Sequence, residues 1–155
     1  MKLLKLVIKE TLRLRLPIPL LVPRECGKRC VINGFDIHIK TRVIVNAWAI
    51  GRDPKYWSEL ESFSPERFLD CSVDFKGTNF KYIPFGASRR TSLGISFGLA
   101  DTKLPLAMLL YHFDWKLQNG MKLEDLDMTE KFGSTTRRKE DLHIIHVPHH
   151  PSTNA

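Results

Sequence analysis

Residues Ser92 to His112 set the hardest condition this chain has to meet. Ile95, Phe97, Leu99, Leu104, Leu106, Met108, Leu109 and Leu110 fall on every side of a helix over that span. A helix apolar nearly all round is one buried on most of its sides. Pro105 lies within it and lacks the N–H of the helical ladder, so a local kink is expected there. Little else in the sequence offers cover. Residues 3–15 predict an amphipathic helix, with Leu4, Val7, Ile8, Leu12 and Leu16 at helical spacing. Pro17, Pro19 and Pro23 end it and force an extended segment. An Asn-Gly pair between apolar residues, Val31-Ile32-Asn33-Gly34-Phe35, predicts a hairpin. Arg42 to Asn46, with Val43, Ile44 and Val45, predicts a strand. Residues 47–57 suggest a short helix broken near Gly51 and Pro54, followed by a long ordered loop to about Lys81. Pro84-Phe85-Gly86 predicts a tight turn. A second hairpin is expected around Asn119-Gly120, and an alternating strand over Leu142 to Val147. Two small hairpins are too little to cover such a helix, and the chain reads as half of a larger body.

The bulk composition narrows the function classes. A chain of 155 residues with 43% hydrophobic and 26% charged residues is neither disordered nor fibrous. No apolar run approaches the roughly 18 residues a membrane span needs. The start, Met-Lys-Leu-Leu-Lys-Leu-Val-Ile-Lys-Glu, superficially mimics a signal peptide, but Lys5 and Lys9 interrupt it and no small-residue cleavage site follows. A net charge of +7 is compatible with nucleic acid or an acidic protein partner. The charges are scattered, however, and the clusters Arg89-Arg90 and Arg137-Arg138-Lys139 lack the interleaved aromatics of a base-stacking surface, so no nucleic-acid partner is expected. Cys26, Cys30 and Cys71 are expected as reduced thiols. Cys26 and Cys30 with His143, His146, His149 and His150 lack the compact paired spacing of a zinc finger.

Three spaced motifs carry the chemistry. Glu10-Thr11-Leu12-Arg13 sets a carboxylate and a guanidinium three apart on one helical face. Further on stands Pro65-Glu66-Arg67-Phe68. Then comes Phe85-Gly86-Ala87-Ser88-Arg89-Arg90-Thr91-Ser92-Leu93-Gly94. Their order and spacing resemble the cytochrome P-450 family: an E-x-x-R helix, a P-E-R-F segment, and an F-x-x-G-x-R-x-C-x-G haem loop leading into a buried helix. Val45-Asn46-Ala47-Trp48-Ala49-Ile50-Gly51-Arg52-Asp53-Pro54 looks like the plant microsomal members, and the resemblance covers roughly residues 3 to 147. It implies that residues 1–155 form a single partial domain, the C-terminal haem-binding part of a mainly helical fold. The fold class expected for this part is α+β, with two main helices, small antiparallel hairpins and a long meander loop.

The resemblance also implies residue roles. Glu10, Arg13 and Arg67 would form a buried ion network with a structural task. Phe85 would pack beside the porphyrin, Arg90 and Arg24 would pair haem propionates, and Gly94 would be a further cofactor-binding position. Ile18, Leu20 and Leu21, and with them Ser134 and Thr135 of Phe132-Gly133-Ser134-Thr135, would line the substrate cavity, with ordinary core packing as the competing reading for the apolar residues. Ser92 stands at the axial iron position, where the family carries a cysteine thiolate that favours O–O cleavage. A serine hydroxyl is neutral and a weak donor by comparison. Ser88 replaces the motif glycine and Leu93 the usual proline, so a turn needing a positive φ would be strained. The family's oxygen-activating helix, acidic-threonine pair and membrane anchor lie upstream of the region resembled, so they are expected to be absent here.

Three functional classes follow. The first is a haem- and iron-binding monooxygenase acting on a small lipophilic plant metabolite, fed with electrons by a reductase, at the cytosolic face of the endoplasmic reticulum or, without the anchor, in the cytoplasm. The second is a catalytically impaired or non-catalytic remnant with weak or no haem binding. The third is a basic interaction module.

Overall fold

The computed structural model describes residues 2–149; His150 of the His-rich end lies outside the described residues. Two helices dominate. Helix α1 spans Lys2–Leu14 and buries Leu6, Ile8, Lys9, Glu10, Arg13 and Leu14 along one side. The long helix is preceded by a short one, α2, Ala47–Ile50, whose N-cap Asn46 accepts from the Ala49 N–H at 3.0 Å. The segment expected to be helical to residue 57 thus stops at Gly51, and Asp53 continues it only as a turn that receives the Tyr56 and Trp57 N–H groups. The long helix α3 spans Ile95–His112, three residues later than its expected start, and runs through Pro105.

Among the described residues, six short strands pair into three antiparallel two-stranded ladders. Strands β1 (Arg24–Glu25) and β4 (Arg42–Val43) pair around the hairpin of β2 (Cys30–Ile32) and β3 (Phe35–Ile37). Asn33 and Gly34 form the two-residue turn at φ 50° and 84°, the left-handed pair that matches strand twist. Strand β5 (Phe113–Leu117) leaves α3 directly and pairs with β6 (Ile144–Pro148). The second Asn-Gly hairpin is therefore corrected. Asn119 and Gly120 do turn at φ 56° and 68°, but the chain continues into a second single-turn 3-10 segment, Leu123–Asp125, rather than back along β5. A turn dipeptide supplies the bend; the pairing partner is chosen by tertiary contact. The fold is α+β, as expected.

The core lies between α1 and the meander of residues 52–85. Leu6, Ile8, Trp57, Phe68, Val73, Phe75 and Tyr82 form its centre. Phe68 touches Trp57 and Tyr82 with ring centroids 5.7 and 5.4 Å apart, tilted as aromatic quadrupoles prefer. The Tyr82 hydroxyl donates to the Lys9 carbonyl at 2.9 Å, and burial, with the Glu10 charge adding, raises its pKa far above the ordinary phenol value. A smaller cluster of Leu16, Ala47, Ile83 and Ala87 continues toward α2.

Helix α3 departs from expectation. None of its residues is buried, and Phe97 and Leu110 are 78% and 59% exposed. Only Ile95 and Leu99 pack against the core, at the end nearest α1. The sequence correctly shows an apolar helix, but the described residues hold no surface to cover the rest of it.

Phe68→Ala should lower stability by about 3–5 kcal/mol, because the cavity would open at the centre of the ring cluster. Urea unfolding followed by Trp57 fluorescence measures this, and a loss below about 1 kcal/mol would show that the cluster is not the core.

Candidate functional site

Two arrangements account for the motif residues, and the first begins with a carboxylate out of reach of water. Glu10 and Arg13 side chains are fully buried, and they meet in a bidentate pair, Arg13 Nε to Oε2 and Nη2 to Oε1, both 2.9 Å. The Arg67 Nε and the Ser64 N–H each donate to the same Oε1 at 3.0 Å. Burial alone would raise the Glu10 pKa. The Arg13 hydrogen bond, the Ser64 N–H and the two guanidinium charges outweigh it, so the carboxyl sits below its ordinary value. Remaining donors go to backbone carbonyls: Arg13 to Gly51, Leu60 and Ser62, and Arg67 to Ser58, Glu59 and Ser62. The structure thus brings Glu10, Arg13 and Arg67 together across 57 positions of sequence.

The second arrangement is a cleft of about 710 Å³ lined by Ile18, Leu21, Val22, Pro23, Arg24, Glu25, Pro84, Phe85, Gly86, Arg90 and Ser92. The loop 85–94 contributes Phe85, Gly86, Arg90 and Ser92 to its wall. The Ser92 N–H donates to the Phe85 carbonyl at 3.0 Å, and Gly86, at φ 80°, donates to Ile83 at the same distance. Ser88 occupies φ 60°, the left-handed conformation that the motif glycine would take without cost. Phe85 is held from behind by Phe75, 6.0 Å between ring centroids. On the opposite flank the turn Ile18–Leu21 is closed by the Leu21 N–H to the Ile18 carbonyl, 3.1 Å. Leu21 takes φ 51°, which leaves Ile18 and Leu21 lining the cleft and Leu20 outside it.

Strand β1 presents Arg24 to this cleft, with its guanidinium beside Gly86. Among the described residues neither Arg24 nor Arg90 makes an ion pair or a side-chain hydrogen bond. Two uncommitted guanidinium forks on an apolar wall suit an amphipathic ligand with carboxylates. Gly94 caps α3 outside the lining; a Cβ there would come 4.0 Å from the Ser92 hydroxyl. Ser134 and Thr135 are exposed and do not line the cleft, though the adjacent Thr136 N–H donates to the Pro17 carbonyl at 2.8 Å, next to Ile18. No cysteine lines the cleft; Cys71 packs against the aromatic core.

Sequence reasoning missed three positions. Gly77, at φ 70°, lies under the loop so closely that a Cβ would stand 2.6 Å from the Gly86 carbonyl oxygen. Lys9 is buried and donates to the Val73 carbonyl, and burial, then the Lys5 charge, lowers its pKa. Arg52 stacks on Trp48 at 4.2 Å and caps α1 through the Leu14 carbonyl at 2.7 Å. Helical periodicity gave no sign of these, because each need is created by a distant segment.

A fold with a Glu-Arg-Arg network beneath a glycine-turned loop that opens into a long helix defines a class, and comparison identifies it. The family model "Cytochrome P450" matches residues 1–144, and the chain belongs to that family. It is 63% identical to cytochrome P450 71D7 of Solanum chacoense over 97% of this chain and 30% of that protein. It is 62% identical to premnaspirodiene oxygenase of Hyoscyamus muticus over 98% of this chain and again 30% of that protein. A solved zebrafish cytochrome P450 with abiraterone superposes with a TM-score of 0.82 at 31% identity, covering 97% of this chain and 33% of that one. The chain therefore spans about a third of the length of these relatives. Members are haem-dependent monooxygenases, and haem is the cofactor that this membership implies.

Two predictions follow from the geometry. Glu10→Gln leaves Arg13 and Arg67 without a counter-charge and should cost about 3–5 kcal/mol at pH 7. The folded pKa of Glu10 lies below the ordinary 4.5, so its contribution is complete above that value and is lost as pH falls through the folded one. The stability difference between wild type and Glu10→Gln, read from urea midpoints, should therefore be constant from pH 7 to 5 and shrink below pH 4. A difference independent of pH down to 2 would remove the ionic network from the explanation. Ser88→Gly should raise stability by about 1 kcal/mol by relieving the left-handed serine, and an unchanged midpoint would show the turn to be unstrained.

Proposed function

We propose that this chain is the haem-loop portion of a plant monooxygenase whose oxygen chemistry is impaired at the metal ligand. The observation that carries the reading is Ser92 in the cleft wall, where the family motif has its cysteine and where no other thiol stands. The residues present fit the cofactor in part. Arg24 and Arg90 suit its propionates, and Phe85, Ile18 and Leu21 suit its apolar ring. The Ser92 hydroxyl does not fit the axial role: it is neutral near pH 7 and too weak a donor to push charge onto iron.

What the chain's own residues do is therefore recognition and support. Glu10, Arg13 and Arg67 tie the meander to α1, the meander carries Phe75 and Gly77, and these back Phe85 and Gly86. When bound, haem would supply oxygen activation only with a ligand that Ser92 does not provide. By family, the substrate is a small lipophilic plant compound and the electrons come from a reductase, at the cytosolic face of the endoplasmic reticulum. The oxygenase name of the Hyoscyamus relative supports the reaction class.

Haemin titration of the purified chain, read by absorption after reduction and addition of carbon monoxide, tests the reading beside Ser92→Cys. Wild type should give no thiolate–carbon monoxide band, and Ser92→Cys should restore it. A thiolate band from wild type would overturn the role given to Ser92. Absence of any haem spectrum from both proteins would overturn the recognition role given to Arg24 and Arg90.

A further inference from the structure

The β1–β4 ladder, which carries Arg24, and the β2–β3 ladder meet at a pair of thiols. Cys26 follows β1 directly. Its carbonyl accepts the Lys40 N–H at 2.8 Å and its N–H donates to Thr41 at 2.9 Å, so it ends the β1–β4 ladder. Cys30 opens the other ladder, opposite Ile37. Only the bend 27–29 joins them, and across it the Cys26 and Cys30 Sγ atoms lie 4.0 Å apart, already in contact. A disulfide requires the sulfurs to approach to about 2.05 Å, a shift that side-chain rotation and a small movement of the bend can supply. The bend has room for it: a Cβ on Gly27 would meet nothing within 4 Å. Cys30 is exposed and Cys26 half-buried, so a soluble oxidant reaches the pair, whereas Cys71 packs against the core. No group of three or more metal-ligating side chains forms among the described residues.

We propose that Cys26 and Cys30 form a redox-modifiable dithiol, oxidised to an intramolecular disulfide by a small disulfide oxidant of the glutathione type. One thiolate attacks the oxidant, forms a mixed disulfide and releases one thiol. The second cysteine then attacks the protein sulfur of that mixed disulfide and releases the other. Two protein thiols are oxidised, one oxidant disulfide is reduced to two thiols, and the two protons stay with them. The product staples the β1–β4 and β2–β3 ladders two residues from Arg24.

The test is equilibration of the full chain with defined ratios of oxidised and reduced glutathione, acid quenching, thiol alkylation and peptide mapping. Lys28 and Arg29 lie between the cysteines, so trypsin cuts there and leaves two peptides joined only if the disulfide has formed. We expect that joined pair, with Cys71 alkylated. We also expect about a tenfold larger oxidation constant for the native chain than for the same chain in urea, because the fold pre-positions the thiols. Equal constants in the two states, a lasting glutathione adduct on either cysteine, or a bridge to Cys71 would each overturn the proposal. It does not depend on haem binding, so its failure and that of the Ser92 reading are separately visible.

Discussion

The Glu10 side chain is fully buried, and a bare carboxylate in such a place would cost several kcal/mol. Its position is tolerable because Arg13, Arg67 and the Ser64 N–H fill its oxygens. The two guanidiniums then use their remaining donors on the Gly51, Ser58, Glu59, Leu60 and Ser62 carbonyls. Those carbonyls belong to a segment with almost no regular structure, where backbone acceptors would otherwise lack partners. The network does for the meander what a ladder does for a sheet. From Arg67 the order passes to the next residue, Phe68, and through its ring to Tyr82, whose hydroxyl returns to α1 at Lys9. Ile83, Pro84 and Phe85 come next, so the wall of the cleft is fixed by a carboxylate far from it in sequence.

How much of this was legible varies with the range of the interaction. The Glu10 and Arg13 pairing is written in helical spacing, and the turn at Asn33-Gly34 in its dipeptide. Asn119-Gly120 has the same dipeptide and the same left-handed backbone, yet makes no hairpin, since β5 finds a better partner beyond residue 143. Local chemistry specifies the bend and says nothing of who lies across from it. Gly77 is the sharper case. Its glycine is required by the Gly86 carbonyl, which approaches across the core boundary, and no pattern around residue 77 announces that contact. Likewise α3 declared itself apolar on all sides, yet among the described residues only Ile95 and Leu99 pack against the core.

On the proposed reading, the cleft separates recognition from chemistry. The loop Phe85–Gly94 is closed by backbone bonds, Ser92 N–H to Phe85 and Thr91 N–H to Ser88, and by the positive φ of Gly86. None of these uses the side chain at position 92. A serine there leaves the turn standing; on the proposed reading it would offer a metal a neutral hydroxyl in place of a soft, charged donor. Arg24 and Arg90 are independent of that change as well, one delivered by a two-residue strand and the other by the loop itself. On the proposed reading, affinity for an anionic, apolar ligand would rest on Arg24 and Arg90 and reactivity at its centre on position 92, so loss of the second would not entail loss of the first.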